Sequence, residues 1–152
     1  MQAEETLAPA IDPSLSSILM RVPFYDTDAM AVVHHSNYLR YCENARIDWF
    51  RKRGVLHVNG VQLAAVESHL HYRTAARFDD VLVVEVRLAD LLHLSMRFAY
   101  TIKQQQDGRV VADGVTVHAC VDGSFKLMKI PVSLRTALRS AEVVVPVVLD
   151  AP

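Results

Sequence analysis

The feature that most constrains the fold is a change in hydrophobic period near residue 55. Before it, apolar side chains recur at helical spacing, at Tyr38, Cys42, Ala45 and Trp49, with Leu39, Tyr41 and Phe50 widening the stripe. Ser36 is a candidate N-cap, and Gly54 can end the helix in a left-handed conformation. The pattern predicts one helix of about 18 residues, more apolar than a surface helix needs.

After the helix the apolar residues alternate, as in β-strands. The strands are predicted at 61–73, 81–90, 93–103, 109–121 and 125–130, with another over 17–25 before the helix. Asp107-Gly108 and Asp122-Gly123 are predicted hairpin turns, whereas Asp113-Gly114 lies inside a strand and indicates a bulge. A short helix over 132–141 and an extended tail complete the prediction.

This order predicts an α+β fold in which a five- to six-stranded antiparallel sheet wraps around one long central helix. We expect a flexible N-terminal leader at 1–16 and a single domain over 17–152. The strand at 81–90 carries apolar residues on both faces, since Val81 and Val83 alternate with Val84 and Val86. One helix covers only one face of the sheet, so the pattern favours an oligomer.

Composition excludes several classes of protein. Sixteen basic residues and seventeen acidic ones nearly cancel, so the protein has no net positive charge that would attract nucleic acid or an anionic membrane. No apolar run approaches the roughly 20 residues of a membrane helix, and the N-terminus lacks the pattern of a secretory signal. Cys42 and Cys120 match no redox or metal motif and are predicted to be buried free thiols. Together these features favour the cytoplasm.

The segment 25–38 contains the side chains best suited to take part in a reaction. Asp26 and Asp28 come directly before the predicted helix, whose first N–H groups can bind an anion. An apolar run at 29–33 would limit water, and His34 and His35 add titratable groups. A partly desolvated carboxylate beside oriented N–H donors suits hydrolysis of an activated acyl group. The alternative is that both aspartates serve only as turn and capping residues.

A family resemblance bears on that alternative. The residues FYDTDA at 24–29, Val33, His35, NYLRY at 37–41, Glu43 and Ala45-Arg46 resemble the 4-hydroxybenzoyl-CoA thioesterase family, most closely its YbgC-type branch of acyl-CoA thioesterases. The resemblance covers roughly 18–131 and is most specific over 24–46. Looser matches are Tyr72, 76–80 and 129–131.

The resemblance implies a hotdog fold and a homodimer, often a homotetramer, with active sites at the subunit interface. It implies an acyl-CoA substrate, or the same acyl group on an acyl carrier protein, and no metal or redox cofactor. Asp28 takes the position of the catalytic nucleophile or general base, His35 lies beside it, and backbone N–H near His35 polarises the thioester carbonyl. The predicted substrate-binding residues are Tyr25, Val33, His34, Ser36, Tyr38, Glu67, Ser68, Arg77 and Lys129.

Two departures from the family pattern concern the substrate. Relatives commonly carry glycine at Met30 or Ala31, so a side chain here should reshape the acyl pocket. Many also carry basic residues for the CoA phosphates where this chain reads LHLS at 92–95. The candidate substitutes are Arg77, Arg97, Lys126 and Lys129.

The sequence allows more than one interpretation of several residues. Tyr38 lies on the apolar stripe and suits the core as well as a ligand contact, while Glu67 is a charged residue in a strand that could line a partner's site. His69 and His71 share one face of a strand, but no third ligand has matching spacing, so we expect no metal there. At the level of function, an acyl-thioester hydratase and a non-catalytic acyl-binding protein remain the alternatives.

Overall fold

The structure is a computed structural model that describes residues 12–140. Its elements are β1 (Ser16–Arg21), a 3-10 turn (Phe24–Asp26), α1 (Asn37–Lys52), β2 (Gln62–Tyr72), β3 (Val81–Leu91), β4 (Ser95–Gln104), β5 (Val110–Val121) and α2 (Val132–Arg139). Most of the predicted leader at 1–16 and the tail after 140 lie outside the described residues. The five strands form one antiparallel sheet in the order β1-β3-β4-β5-β2.

Helix α1 packs on one face of the sheet, against β1 and β3. Its apolar stripe is buried as predicted, and Trp49 and Phe50 make edge-to-face contacts with Phe98 of β4 at 5.3 and 5.4 Å between ring centroids. The inward side chains of β3, among them Leu82 and Val84, complete the core. A long helix held by a curved antiparallel sheet confirms the predicted hotdog fold.

The two ends of α1 differ from each other in how well they match the prediction. Gly54 has a φ of +67° and, with Val55, donates N–H groups to carbonyls of the last turn, so the predicted C-terminal stop is confirmed. Ser36 precedes the helix but makes no capping bond, because its hydroxyl lies 2.8 Å from Nδ1 of His34. Ser36 therefore takes the predicted N-cap position, but without the side-chain hydrogen bond of a cap.

One strand prediction is corrected just after β5. The segment 125–130 forms only an isolated bridge between Val121 and Leu127. The Asp122 carboxylate accepts N–H bonds from Ser124 and Lys126, and this turn directs the chain across the sheet end, where Ile130 N–H reaches the His93 carbonyl. The segment pairs with the end of β5 only through this bridge and does not form a sixth strand.

The predicted bulge at Asp113-Gly114 is also wrong, because both residues pair in register with β2 and β4. Gly114 is needed for another reason: a Cβ there would overlap the His69 carbonyl of β2. Register shifts occur instead in β2 between Ala65 and Glu67, in β3 between Leu88 and Asp90, and in β5 between Val110 and Ala112. The Asp107-Gly108 hairpin is confirmed, with Gly108 at a φ of +71°.

The first strand is shorter than predicted. It ends at Arg21, just before Pro23, which has no N–H for the ladder, and residues 24–26 turn toward the start of α1. Before the strand, the Ser14 carbonyl accepts a hydrogen bond from Trp49 Nε1 at 2.6 Å. The chain therefore enters the sheet from the C-terminal end of α1 and leaves β1 near its N-terminal end.

Other predictions from composition can be compared with the described part of the chain. Cys42 and Cys120 are both free and buried, as expected, and burial raises the pKa of the Cys42 thiol to about 12. Within residues 12–140, neither α-helix combines the length and apolar character that crossing a membrane requires.

Candidate active site

Asp28 begins a tight loop over residues 28–32. Its N–H donates to the Val32 carbonyl and its carbonyl accepts from the Ala31 N–H, both at 2.9 Å. Its Oδ1 accepts the Met30 N–H at 2.8 Å. Ala31 has a φ of +59°, a left-handed conformation that glycine adopts more readily. The loop thus fixes one oxygen of a half-buried carboxylate and leaves Oδ2 without a partner among the described residues.

Asp26, only two residues earlier, is placed very differently. It is 4% exposed, and its Oδ2 accepts a 2.7 Å hydrogen bond from the Tyr41 hydroxyl. Its Oδ1 lies 3.6 Å from Arg40 Nη1, and its carbonyl accepts from His34 N–H and Asn37 Nδ2. Burial, together with this carboxylate, raises the pKa of Tyr41 far above its usual range. Asp26 therefore anchors the start of α1 to the turn before it.

A cleft of about 360 Å³ connects the Asp28 loop with the end of β2. Asp28 and His35 both line it, so the structure brings the two predicted catalytic residues together. Its apolar lining comes from Met30, Val32, Val33, Tyr38, Tyr72 and Ala75. Arg73 also lines the cleft, but Asp113 binds its guanidinium through contacts of 2.8 and 3.2 Å. An acyl group entering here would meet one available carboxylate in a mainly apolar wall.

The residues just before α1 provide backbone donors. The N–H groups of Ser36 and Asn37 are directed to Nδ1 and the carbonyl of His34, at 3.3 and 2.9 Å. The His35 N–H has no acceptor among the described residues and belongs to a residue that lines the cleft. The His35 ring lies between those of His34 and Tyr72, at centroid distances of 4.2 and 6.1 Å. Among these residues, His35 therefore supplies a free N–H at the cleft that also contains Asp28.

Tyr38 fits both interpretations that the sequence left open, a core residue and a ligand contact. It is buried, stacks near Tyr72 and Tyr41, and accepts the Ala76 N–H at its hydroxyl at 3.3 Å. Burial raises the pKa of its phenol. Tyr38 is thus a core residue with one edge in the cleft, next to the buried Val33.

The other predicted binding residues do not meet at this cleft within one chain. Tyr25 is 81% exposed, and Glu67 and Ser68 are exposed in the middle of β2. Arg77 lies at the rim, where its Nη1 is 3.5 Å from the Ala31 carbonyl. Lys129 follows the end of β5 that pairs with Gln62, whereas the cleft adjoins Tyr72 at the opposite end of β2. Their roles stay predictions.

Sequence reasoning missed two groups of residues. The first, Arg73, Thr74 and Ala75, forms a wall of the cleft and carries no local signal. The second is a buried chain of hydrogen bonds through Arg46, Tyr100, Thr116 and His118. Its signal was present, because Tyr100 lies between the inward-facing Phe98 and Ile102, and Thr116 and His118 share one strand face.

The remaining histidine pair is separate from the cleft. His69 and His71 lie with their Nε2 atoms 3.2 Å apart, and His71 Nδ1 is 3.6 Å from Asp113. Within residues 12–140, no three side chains of the metal-binding types are arranged to hold an ion.

Comparison with known proteins identifies relatives over most of the chain. A family model described as the thioesterase-like superfamily matches residues 22–138. An acyl-CoA thioesterase YbgC from Haemophilus influenzae is 30% identical over 127 residues, covering 80% of this chain and 92% of that protein.

Two solved structures share the fold. A hypothetical protein, TT1821 from Thermus thermophilus, superimposes with a TM-score of 0.76 at 35% identity, covering 81% of this chain and 96% of that one. Slr0204 from Synechocystis, a 1,4-dihydroxy-2-naphthoyl-CoA thioesterase, has a TM-score of 0.74 at 22% identity, covering 82% and 95%. The second likeness concerns the fold alone.

Proposed function

Because this chain belongs to the thioesterase-like superfamily, we propose that it hydrolyses an acyl-CoA thioester to the free acid and CoA. The observation that carries the proposal is the cleft in which the available carboxylate of Asp28 lies with His35 and a free backbone N–H. An acyl group on an acyl carrier protein would present the same thioester.

In the proposed reaction, Asp28 attacks the thioester carbonyl or removes a proton from an attacking water. The carbonyl oxygen gains negative charge as the new C–O bond forms, and the His35 N–H donates to it. The C–S bond then breaks, and CoA leaves as a thiol after taking up a proton. If Asp28 attacks directly, water hydrolyses the resulting anhydride in a second step. The His35 side chain orients water or the carboxylate.

The choice of Asp28 over Asp26 rests on availability. Both oxygens of Asp26 already face Tyr41 and Arg40, and the residue has almost no exposed surface. Asp28 has one oxygen fixed by the Met30 N–H and one without a partner among the described residues. A reacting carboxylate needs a free oxygen and a fixed orientation, and only Asp28 combines them.

We further propose that two copies of the chain share the site. β2 is an edge strand of 11 residues with most side chains exposed, an arrangement that invites pairing with another strand. Antiparallel pairing of two β2 edges would place the Tyr72 end of one β2 strand beside the Gln62 end of the other. Asp28 lies in the cleft at the Tyr72 end. Glu67 and Ser68 would then lie near the two-fold axis. A homodimer is the minimum assembly and a homotetramer the larger alternative.

The reaction is tested with a panel of acyl-CoA thioesters and detection of released thiol. Thiol release that depends on Asp28 is the expected result. Consumption of an enoyl-CoA without thiol release would indicate a hydratase, and binding without turnover would indicate an acyl-binding protein. Light scattering at micromolar concentration tests the assembly, and a fully active monomer of 17.0 kDa would contradict the shared site.

A further inference from the structure

A second cavity lies between the C-terminal half of α1 and β2, away from the Asp28 cleft. It measures about 300 Å³, and its apolar lining includes Phe50, Val58, Leu63 and Met96. Two polar side chains also line it, Arg46 and His118. His118 is 2% exposed, and such a buried polar residue in an apolar wall requires an explanation.

A buried chain of hydrogen bonds determines how His118 faces this cavity. Arg46 Nη1 donates to the Tyr100 hydroxyl at 3.1 Å, the Tyr100 hydroxyl lies 2.9 Å from Thr116 Oγ1, and Thr116 Oγ1 lies 2.8 Å from His118 Nε2. Arginine can only donate, which fixes the direction at one end. The Tyr100 proton then has only Thr116 to bind among the described residues, and the Thr116 proton points to His118.

In this direction His118 Nε2 is an acceptor, so the ring proton of neutral His118 resides on Nδ1. Burial, and secondly the charge of Arg46, lowers the pKa of His118 to about 4, which keeps the ring neutral near pH 7. Nδ1 has no hydrogen-bond partner among residues 12–140, although the ring lines the cavity. A residue of the cavity wall therefore carries one fixed N–H donor without an acceptor among the described residues.

The cavity also extends toward the region of the proposed reaction. A narrower groove of about 180 Å³ between α1 and β2 shares Arg46 and His118 with it and continues to Leu39 and Ser68. Leu39 lies in the first turn of α1, beside the residues that line the Asp28 cleft. An acyl chain that extends from the cleft past Leu39 would enter this groove and reach His118.

We propose that this cavity receives the far end of the acyl group, and that His118 Nδ1–H selects acyl groups with a carbonyl or hydroxyl oxygen there. The inference rests on the proposed function, since it names the substrate class of that site. A plain alkyl end would fill the apolar part of the cavity but leave the N–H of His118 unpaired, which weakens binding.

The test compares binding of S-alkyl-CoA thioethers of increasing length, each paired with an analogue that carries a ketone at the penultimate carbon. Thioethers are not hydrolysed, so the comparison stands even if the protein cleaves no thioester and the proposed function fails. At the best-fitting length, we expect the ketone to bind wild type at least about tenfold more tightly, by isothermal titration calorimetry.

Two variants and one control sharpen the result. His118→Leu should remove the preference for the ketone while retaining affinity for the alkyl analogue, whereas His93→Leu, at an exposed turn, should change neither. Thr116→Val should reduce the preference, because the Nδ1–H tautomer is no longer enforced. It serves as the test if His118→Leu does not fold.

Nitrogen-15 spectra of wild type provide a separate readout and should show the proton of His118 on Nδ1. Equal affinities for ketone and alkyl analogues in wild type would overturn the proposal, as would a preference that survives in both variants. A proton on Nε2 would do the same.

Discussion

The turn at residues 24–26 and the loop at residues 28–32 each hold an aspartate, yet the two carboxylates have opposite surroundings. In the turn, Asp26 is buried against Tyr41 and tied to the start of α1. In the loop, Asp28 is half-buried, lines an open cleft and is oriented by a single backbone N–H. The first carboxylate stabilises the structure, and the second is left available for chemistry.

The comparison shows that proximity in sequence does not determine the role of a charged residue. A buried carboxylate needs partners for its oxygens, and those partners remove it from reaction with a ligand. A carboxylate that is to react needs a fixed direction and an open oxygen. The loop supplies both through backbone bonds, at the cost of a left-handed residue at Ala31.

The largest expected effect is on catalysis at Asp28. Asp28→Asn keeps the size of the side chain and can still accept the Met30 N–H, but it loses the nucleophile or base. We expect kcat for acyl-CoA hydrolysis to fall at least about 100-fold, with an unchanged thermal midpoint. Near-normal turnover by a pure, folded variant would refute the assignment of Asp28.

The matched change at Asp26 should affect stability rather than turnover. Asp26→Asn replaces a charged acceptor of the Tyr41 hydroxyl, and we expect the free energy of unfolding to fall by about 2 kcal/mol. Denaturant titration measures the loss, with Asp28→Asn as the control of unchanged stability. If Asp26→Asn abolished activity in a fully folded protein, the proposed division between the two aspartates would be wrong.

A smaller effect is expected at His35, which lines the cleft together with Asp28. His35→Ala removes an orienting ring but retains the backbone N–H, so we expect about a tenfold loss in kcat. His57→Ala is the control, since this exposed histidine does not line the cleft. Unchanged kcat in a folded His35→Ala variant would refute the orienting role of His35.

The smallest effect concerns the strain in the loop. Ala31→Gly should relieve the strain of the left-handed conformation. We expect this gain in stability to exceed the entropic cost of a more flexible unfolded chain by about 0.5 kcal/mol. Thermal unfolding should show a small rise in midpoint, whereas Ala29→Gly, at a residue without positive φ, should lower it. A lower midpoint in Ala31→Gly would mean that the methyl group makes stabilising contacts that outweigh the strain.

Local signals predicted most of the secondary structure. The period of the apolar residues located α1, Gly54 marked its end, and Asp107-Gly108 marked a hairpin, because each signal depends on neighbours in sequence. The failures at Ser36, Gly114 and 125–130 have the opposite cause. His34 competes for the Ser36 hydroxyl, the β2 backbone requires the absence of a side chain at Gly114, and a turn at Asp122 redirects the chain.

By itself, the sequence determined the α+β class, the long buried helix and the segment in which the chemistry was to be sought. It also singled out Asp28, through a family pattern over 24–46. The tertiary structure decided which carboxylate has a free oxygen, which walls form the cleft, and how Arg46, Tyr100, Thr116 and His118 join into one buried chain. Hydrogen bonds and burial depend on residues brought together from distant parts of the chain, and a local sequence pattern does not indicate which distant residues will meet.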